Sequence, residues 1–326
     1  MCADTSGLSV APALVSVVIP TRNRADFLSE AIKSVLQQDY ANVEIFVSDN
    51  ASTDHTALLV GDYVRQYPNV HYIRNEQDIG LINNFNQCVQ LAKGEYVFRF
   101  ADDDLISPRY ISLLVAELSR YPAAIAAIGA VTLMTAEGVH IHAFNDSEQM
   151  HVHGTQGMPL LKRAIHYLRY GHYEGWAWAV VYGIFRTEVL KQLQMSSKLR
   201  DPGALFVLSV FLQGELVSCK QDAVTYKRQG GASNVLARPQ ASEIFAAISE
   251  TNKSSWMSGK LILRSIKGAC NKVQILPWLA LFMFKQFVAS IFLALWVGLK
   301  IILPGLNSSH FRHRLRKMHS SWGEKR

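Results

Sequence analysis

The stretch Val97-Phe98-Arg99-Phe100-Ala101-Asp102-Asp103-Asp104 decides the reading of this 326-residue chain. A run with the β-branched and aromatic residues of a buried strand stops at three consecutive carboxylates. Neighbouring carboxylates repel one another, so they need a cation or open solvent. In an open α/β sheet, ligands bind at the carboxyl ends of the strands. Two readings stand side by side. In one, two of the three Asp side chains hold Mg2+ or Mn2+, which neutralises a bound diphosphate. In the other, the run is a solvated acidic turn leading into a helix that starts at Ser107-Pro108.

The same layout recurs towards the N-terminus. Strands are expected at 15–20, 43–47, 70–73 and 96–100, and helices at 26–38, 56–67, 82–92 and 108–121. Phe27, Leu28, Ile32, Val35 and Leu36 give the first helix its apolar spacing, and Pro68 stops the second. Polar loops follow the strands: Thr21-Arg22-Asn23-Arg24 after the first and Ser48-Asp49-Asn50-Ala51-Ser52 after the second. Strands that alternate with helices imply βαβ units and a doubly wound, mainly parallel sheet. Further on, a strand is expected at 124–132, an irregular loop at 136–158, and a helix at 160–170. A strand at 180–185, helices at 188–193 and 204–213, and short strands at 216–219 and 223–226 complete the pattern.

Charge divides the chain. Residues 1–250 hold 20 Lys and Arg against 25 Asp and Glu, whereas residues 251–326 hold 13 Lys and Arg against Glu324 alone. Within that basic tail, Lys260, Arg264 and Lys267 recur at helical spacing, and residues 273–303 are nearly all apolar, with Lys285 and Lys300 as the only charges. Basic residues flanking apolar runs of 12 and 14 residues suit an anionic membrane surface better than a full span. A span over about 287–303 and a buried helical pair are the alternatives. The long aliphatic runs argue against a nucleic-acid partner. Four scattered cysteines with no Cys-x-x-Cys pair fit a reducing compartment, and no leader-like segment precedes the first strand. The expected location is the cytoplasmic face of the inner membrane, with peripheral or monotopic attachment.

Five motifs occur in order: Val17-Val18-Ile19-Pro20-Thr21-Arg22-Asn23-Arg24, Val47-Ser48-Asp49-Asn50-Ala51-Ser52-Thr53-Asp54, Asn75-Glu76-Gln77-Asp78-Ile79-Gly80, Ala92-Lys93-Gly94-Glu95-Tyr96, and Ala101-Asp102-Asp103-Asp104. Together they resemble the family 2 glycosyltransferases, in the branch that builds bacterial surface polysaccharides such as O-antigen and capsule. The resemblance implies an α/β fold of GT-A type, with a doubly wound, mixed, mainly parallel sheet and a C-terminal membrane-associated helical region. Residues 1–250 would be the catalytic domain, with a nucleotide-sugar half at about 14–110 and an acceptor half at about 111–235. Residues 251–326 would be the membrane-associating tail.

By that resemblance the donor is a nucleoside-diphosphate sugar and the acceptor a lipid-linked saccharide or glycan. Pro20, Thr21 and Asp49 would hold base and ribose, Arg24 and Arg74 would face the phosphates, and Asn23, Asn75 and Gly80 lie in family loops. Asp102 would touch ribose or metal, Asp103 either, and Asp104 would ligate Mn2+ or Mg2+ directly. Asp201 matches the general base that takes the acceptor's proton with inversion, and Glu174 is the second candidate. Relatives often place a His where this chain has Gln229, so Lys227 or Arg228 would bind the diphosphate, and strong metal dependence is in doubt. Trp176 and Trp178 suit sugar or lipid stacking as well as core packing. Two other functional classes stand as alternatives. A nucleotidyltransferase would call for a glycine-rich phosphate loop that 20–24 lacks, and a non-catalytic scaffold would bind nucleotide without turnover.

Overall fold

The computed structural model describes residues 12–135, 140–143, 155–170, 179–195, 202–219 and 223–228, with residues 276 and 280 beyond them. Their elements run in the order β1 (Val15–Thr21), α1 (Ala25–Leu36), β2 (Val43–Asp49), α2 (Thr56–Gln66), β3 (Val70–Arg74), α3 (Leu81–Leu91), β4 (Tyr96–Arg99), β5 (Leu105–Ile106), α4 (Tyr110–Arg120), β6 (Ala124–Ile128), β7 (Ala130–Met134) and β8 (His140–Ala143). There follow α5 (Leu160–Tyr170), β9 (Ile184–Arg186), α6 (Thr187–Gln192), α7 (Pro202–Gln213), β10 (Glu215–Ser218) and β11 (Val224–Arg228). The chain divides into two compact units. The first comprises residues 1–157, 174–197 and 213–234; the second comprises 158–173, 198–212 and 235–326.

The first unit is built on a seven-stranded sheet of order β10-β6-β9-β4-β1-β2-β3. Strands β4, β1, β2 and β3 are mutually parallel, and β10 is parallel to β6, while β9 runs antiparallel between β4 and β6. All seven residues of β1 and of β2 are buried, as strands covered on both faces require. Helix α1 buries Ala25, Leu28, Ala31, Ile32 and Val35, which is the i, i+3, i+4, i+7 spacing of one helical face. Helix α4 does the same with Tyr110, Ile111, Leu114, Val115 and Leu118. The mixed, mainly parallel sheet agrees with the sequence reading, and so do the first four strands and helices.

The second half of this unit departs from it. The strand expected at 124–132 is two strands in two sheets, β6 in the seven-stranded sheet and β7 in a four-stranded sheet of order β5-β11-β7-β8. The break falls at Gly129, where a Cβ would lie 2.5 Å from the Ala223 carbonyl oxygen and 2.8 Å from the Tyr110 ring. Only glycine lets these chains approach so closely. Residues 179–181 are helical, so the strand expected at 180–185 starts only at Ile184. The region expected to be irregular at 136–158 contributes β8, paired antiparallel with β7.

In the second unit, Arg163 of α5 donates from Nε to the Phe211 carbonyl of α7 at 2.9 Å and from Nη1 to the Met158 carbonyl at 2.8 Å. His166 and Tyr167 lie against the Phe211 ring at 6.2 and 6.0 Å between centroids. Among the described residues no helix is long and apolar enough to cross a membrane.

Candidate active site

Register brings the site together. In the parallel ladder Thr21 pairs with Asp49, and Asp49 pairs with Arg74. The last residues of β1, β2 and β3 thus stand side by side at the carboxyl edge of the sheet, where side chains on one rung share a face. Phe100 continues the neighbouring strand by donating its amide to the Val18 carbonyl at 3.0 Å, so the aspartates begin two residues further along the same edge.

Asp49 is wholly buried. Its Oδ1 accepts the Ser52 amide at 2.8 Å, and its Oδ2 accepts the Tyr72 hydroxyl at 2.6 Å and lies 3.7 Å from Arg74 Nε. Burial and the bond to Asp49 both push the Tyr72 hydroxyl well above the usual phenol range, so it stays a donor. Arg74 also donates from Nη2 to the Ser52 carbonyl at 2.8 Å. The loop tip between these groups holds Ala51 at φ +58°, a left-handed conformation that costs a β-carbon residue strain. Asn23, also left-handed at φ +53°, ties this tip down. Its side-chain oxygen accepts the Thr53 amide at 2.7 Å, and its own amide donates to Ser52 Oγ at 2.9 Å.

Thr21 donates its hydroxyl to Asp102 Oδ2 at 2.7 Å. Arg24 Nη1 lies 3.1 Å from Asp102 Oδ1 and 2.9 Å from Asp103 Oδ2, so one guanidinium bridges two of the three carboxylates. Burial raises the Asp102 carboxyl to about 6, with the Asp103 charge adding to it and Arg24 and the Thr21 hydroxyl opposing it. Asp104 has no exposed surface, and Tyr182 donates its hydroxyl to Asp104 Oδ2. Burial, and secondarily Asp104, push that phenol far upward as well. The solvated-turn reading of this run is therefore not what the fold adopts, because Asp102 and Asp104 are both buried and hydrogen-bonded.

Asn75 spans the floor. Its amide donates to the Asp49 carbonyl at 2.9 Å, its side chain donates to Asn84 Oδ1 at 3.2 Å, and Gln87 donates to it at 2.9 Å. Gly80 precedes α3 at φ +82° and donates its amide to Asp78 Oδ1 at 2.8 Å. Asp78 in turn pairs with Arg22 and accepts from Asn50, which closes the β1 and β3 loops over the edge. Pro20 lies in β1 opposite Ser48.

Three consecutive carboxylates are hard donors of the kind Mg2+ and Mn2+ prefer. Among the described residues, however, no group of three His, Cys, Asp or Glu side chains is placed to enclose an ion. The donor set fits a cation held by one or two carboxylates, with substrate and water oxygens supplying the remaining ligands.

Of the residues singled out from sequence, Thr21, Arg24, Asp102 and Asp103 form one hydrogen-bonded group, Asp49 and Arg74 meet in a second with Asn75 bonded to the Asp49 carbonyl, and Asp104 is held apart from both by Tyr182. Glu174, Trp176, Trp178 and Asp201 lie outside the described residues, as do Gln229 and nearly all of the basic tail. Lys227 and Arg228 fall on β11, which is described by its backbone path. Sequence reasoning missed Tyr72 and Tyr182. Tyr72 had a signal, since it lies two residues before Arg74 on the same strand face. Tyr182 had none, being 78 residues from its partner.

An open α/β sheet binds ligands outside the carboxyl ends of its strands, which is where this carboxylate-rich cluster lies, and the comparisons narrow the class. Residues 16–172 match the family model described as glycosyl transferase family 2, so this segment belongs to that family. Abequosyltransferase RfbV of Salmonella typhimurium is 36% identical over 104 residues, which are 31% of this chain and 31% of that protein. The chain spans about a third of the length of the curated relatives it matches. Among solved structures, residues 1–349 of TarS from S. aureus in complex with UDP superpose with a TM-score of 0.60 at 20% identity, over 84% of this chain and 72% of that one. The mannosyltransferase PcManGT from Pyrobaculum calidifontis, in complex with GDP-Man and Mn2+, gives 0.54 at 16% identity, over 97% and 86%. At these identities the structural matches establish the fold, the mixed α/β arrangement of GT-A enzymes.

Proposed function

We propose that the protein is a glycosyltransferase that moves a sugar from a nucleoside-diphosphate donor to a lipid-linked saccharide during surface-polysaccharide assembly. One observation carries this reading. Thr21, Asp49 and Arg74 share a rung at the carboxyl edge of the parallel strands, and the buried aspartates Asp102 and Asp104 lie beside them. The family match supports the reaction class, and the names of relatives and structural neighbours support a nucleotide-sugar donor.

In this reading Asp49 accepts from a base N–H or a ribose hydroxyl. Tyr72 and Ser52 hold its carboxylate, so it meets the donor in one orientation. Asp102 accepts a ribose hydroxyl on the far side of Thr21. Arg24 and Arg74 carry positive charge toward the diphosphate. Asp102 and Asp104 would hold Mn2+ or Mg2+, which as a Lewis acid lowers the cost of charge on the departing diphosphate. An acceptor hydroxyl attacks the anomeric carbon while a carboxylate takes its proton, and the anomeric centre inverts. Asp201 is the proposed base and Glu174 its rival. Lys227 or Arg228 would add charge for the leaving group, and Trp176 and Trp178 would stack on the acceptor. Residues 251–326 would hold the enzyme on the cytoplasmic face of the membrane.

Calorimetric titration of the purified chain with UDP, GDP, dTDP and CMP, with and without Mn2+, tests the donor site. Binding of one nucleotide, strengthened by Mn2+, is expected. If none binds, the donor site is overturned; binding without turnover would favour the scaffold role. Asp201→Asn is expected to lower turnover far more than donor affinity, and the same result from Glu174→Gln instead would transfer the base assignment.

A further inference from the structure

Asp104 differs from its two neighbours in what holds it. Arg24 reaches Asp102 and Asp103, whereas Asp104 accepts the hydroxyl of Tyr182, from the segment that enters β9. Both partners are deeply buried, Asp104 at 0% exposure and Tyr182 at 3%. Tyr182 is itself fixed from behind, because the Tyr110 hydroxyl of α4 donates to its carbonyl at 2.7 Å. Arg99, on β4 and also buried, is a third member of the neighbourhood, since its charge is felt by the Tyr182 phenol. A carboxylate with one oxygen taken by a rigid phenol cannot turn freely about its last torsion. Its other oxygen then points in one direction.

From this geometry we infer that Tyr182 is a positioning residue of the donor site, which aims the Asp104 carboxylate at the divalent cation of the proposed reaction. The inference rests on the glycosyltransferase reading and assigns a role to a side chain from outside the five N-terminal motifs. Hydrogen-bond partners of metal-binding side chains commonly change metal affinity or activity by about 10–100-fold when removed. Tyr40 provides the contrast, being a half-buried tyrosine whose hydroxyl donates to the Ala13 carbonyl at 2.6 Å rather than to a carboxylate.

The test titrates Mn2+ alone into the full chain and follows the free-ion electron paramagnetic resonance signal. Wild type, Tyr182→Phe and Tyr40→Phe are compared, each checked for a cooperative melt. Mn2+ binding weaker by about 10–100-fold in Tyr182→Phe, and within about twofold of wild type in Tyr40→Phe, is the expected result. Equal affinity in wild type and Tyr182→Phe overturns the inference and leaves the metal site standing. A wild-type chain that binds a nucleoside diphosphate yet takes up no Mn2+ overturns the inference together with the metal assignment, while the donor reading survives. If Tyr182→Phe does not fold, 3-fluorotyrosine at position 182 takes its place, changing the acidity of the hydroxyl with almost no change in shape. A shifted Mn2+ affinity then supports the coupling, and an unchanged one overturns it.

Discussion

The two ends of the same parallel strands are built from the same residue types and do opposite things. At the amino edge, Ser16 pairs in register with Glu44; at the carboxyl edge, Thr21 pairs with Asp49. Each rung sets a hydroxyl beside a carboxylate. At the amino edge the hydroxyl donates straight across to Glu44, and backbone closes the rest. The Lys93 amide donates to Ser16 Oγ at 3.0 Å and to Glu44 Oε1 at 3.1 Å, and the Gly94 amide donates to Ser16 Oγ at 2.8 Å. At the carboxyl edge Thr21 turns away to Asp102, Asp49 is held by Tyr72 and Ser52, and Arg24 and Arg74 bring charge. A polar rung closed by backbone amides is a structural joint. A rung whose groups are steered by side chains toward a shared edge is a binding surface.

Substitutions at the two ends should separate these roles. The largest effect is expected from Asp104→Asn, which keeps the buried shape and removes the charge. Transfer of sugar from donor to acceptor should fall by at least about a hundredfold, with a melt that stays cooperative. Near-normal turnover would remove Asp104 from the chemistry. Arg24→Gln comes next. It takes the cation from Asp102 and Asp103, and donor affinity measured by calorimetry should drop about tenfold.

Ser16→Ala probes the opposite edge. It removes a donor from Glu44 and the hydroxyl that the Gly94 amide bonds, leaving the Lys93 amide to Glu44 alone, so stability to urea should fall by about 1–3 kcal/mol while the donor KM and turnover of the folded enzyme stay unchanged. A loss of turnover there would collapse the contrast between the two ends.

A smaller effect concerns pH. The folded Asp102 carboxyl titrates near 6, above its ordinary value, chiefly because it is buried. A raised carboxyl favours the fold while protonated. Its contribution is therefore full below the unfolded value of about 4 and is lost as pH rises through 6. Melting temperature of the ligand-free protein followed from pH 4 to pH 7 should show this decline, and Asp102→Asn should flatten it. The smallest change is expected from Arg22→Ala, whose pairing with Asp78 is exposed, so the melting temperature should not move measurably.

Much of the edge was legible in the residues. A strand of period two, a helix of period 3.6 and a polar loop after each strand place Thr21, Asp49, Arg74 and the aspartates on one side of a parallel sheet. What was not legible depends on residues far apart in the chain. Nothing local to 124–132 says that Gly129 must admit the Ala223 carbonyl and the Tyr110 ring, so one expected strand became two. Nothing local to Asp104 announces Tyr182. Arg24 looked like a phosphate ligand and is first of all the counter-ion of Asp102 and Asp103.

The sequence by itself determined the alternation of strands and helices, the strand ends that carry polar groups, and the charge break before the tail. These follow from periodicity and composition, which act over a few residues. Only the tertiary structure decided that Asp104 is sealed behind a phenol, that Asp102 shares a cation with Asp103, and that Ser16 and Thr21 have different work. Burial and hydrogen-bond partners arise when residues 28 to 81 positions apart are packed together. The strength of a charge or a hydrogen bond is set by that packing.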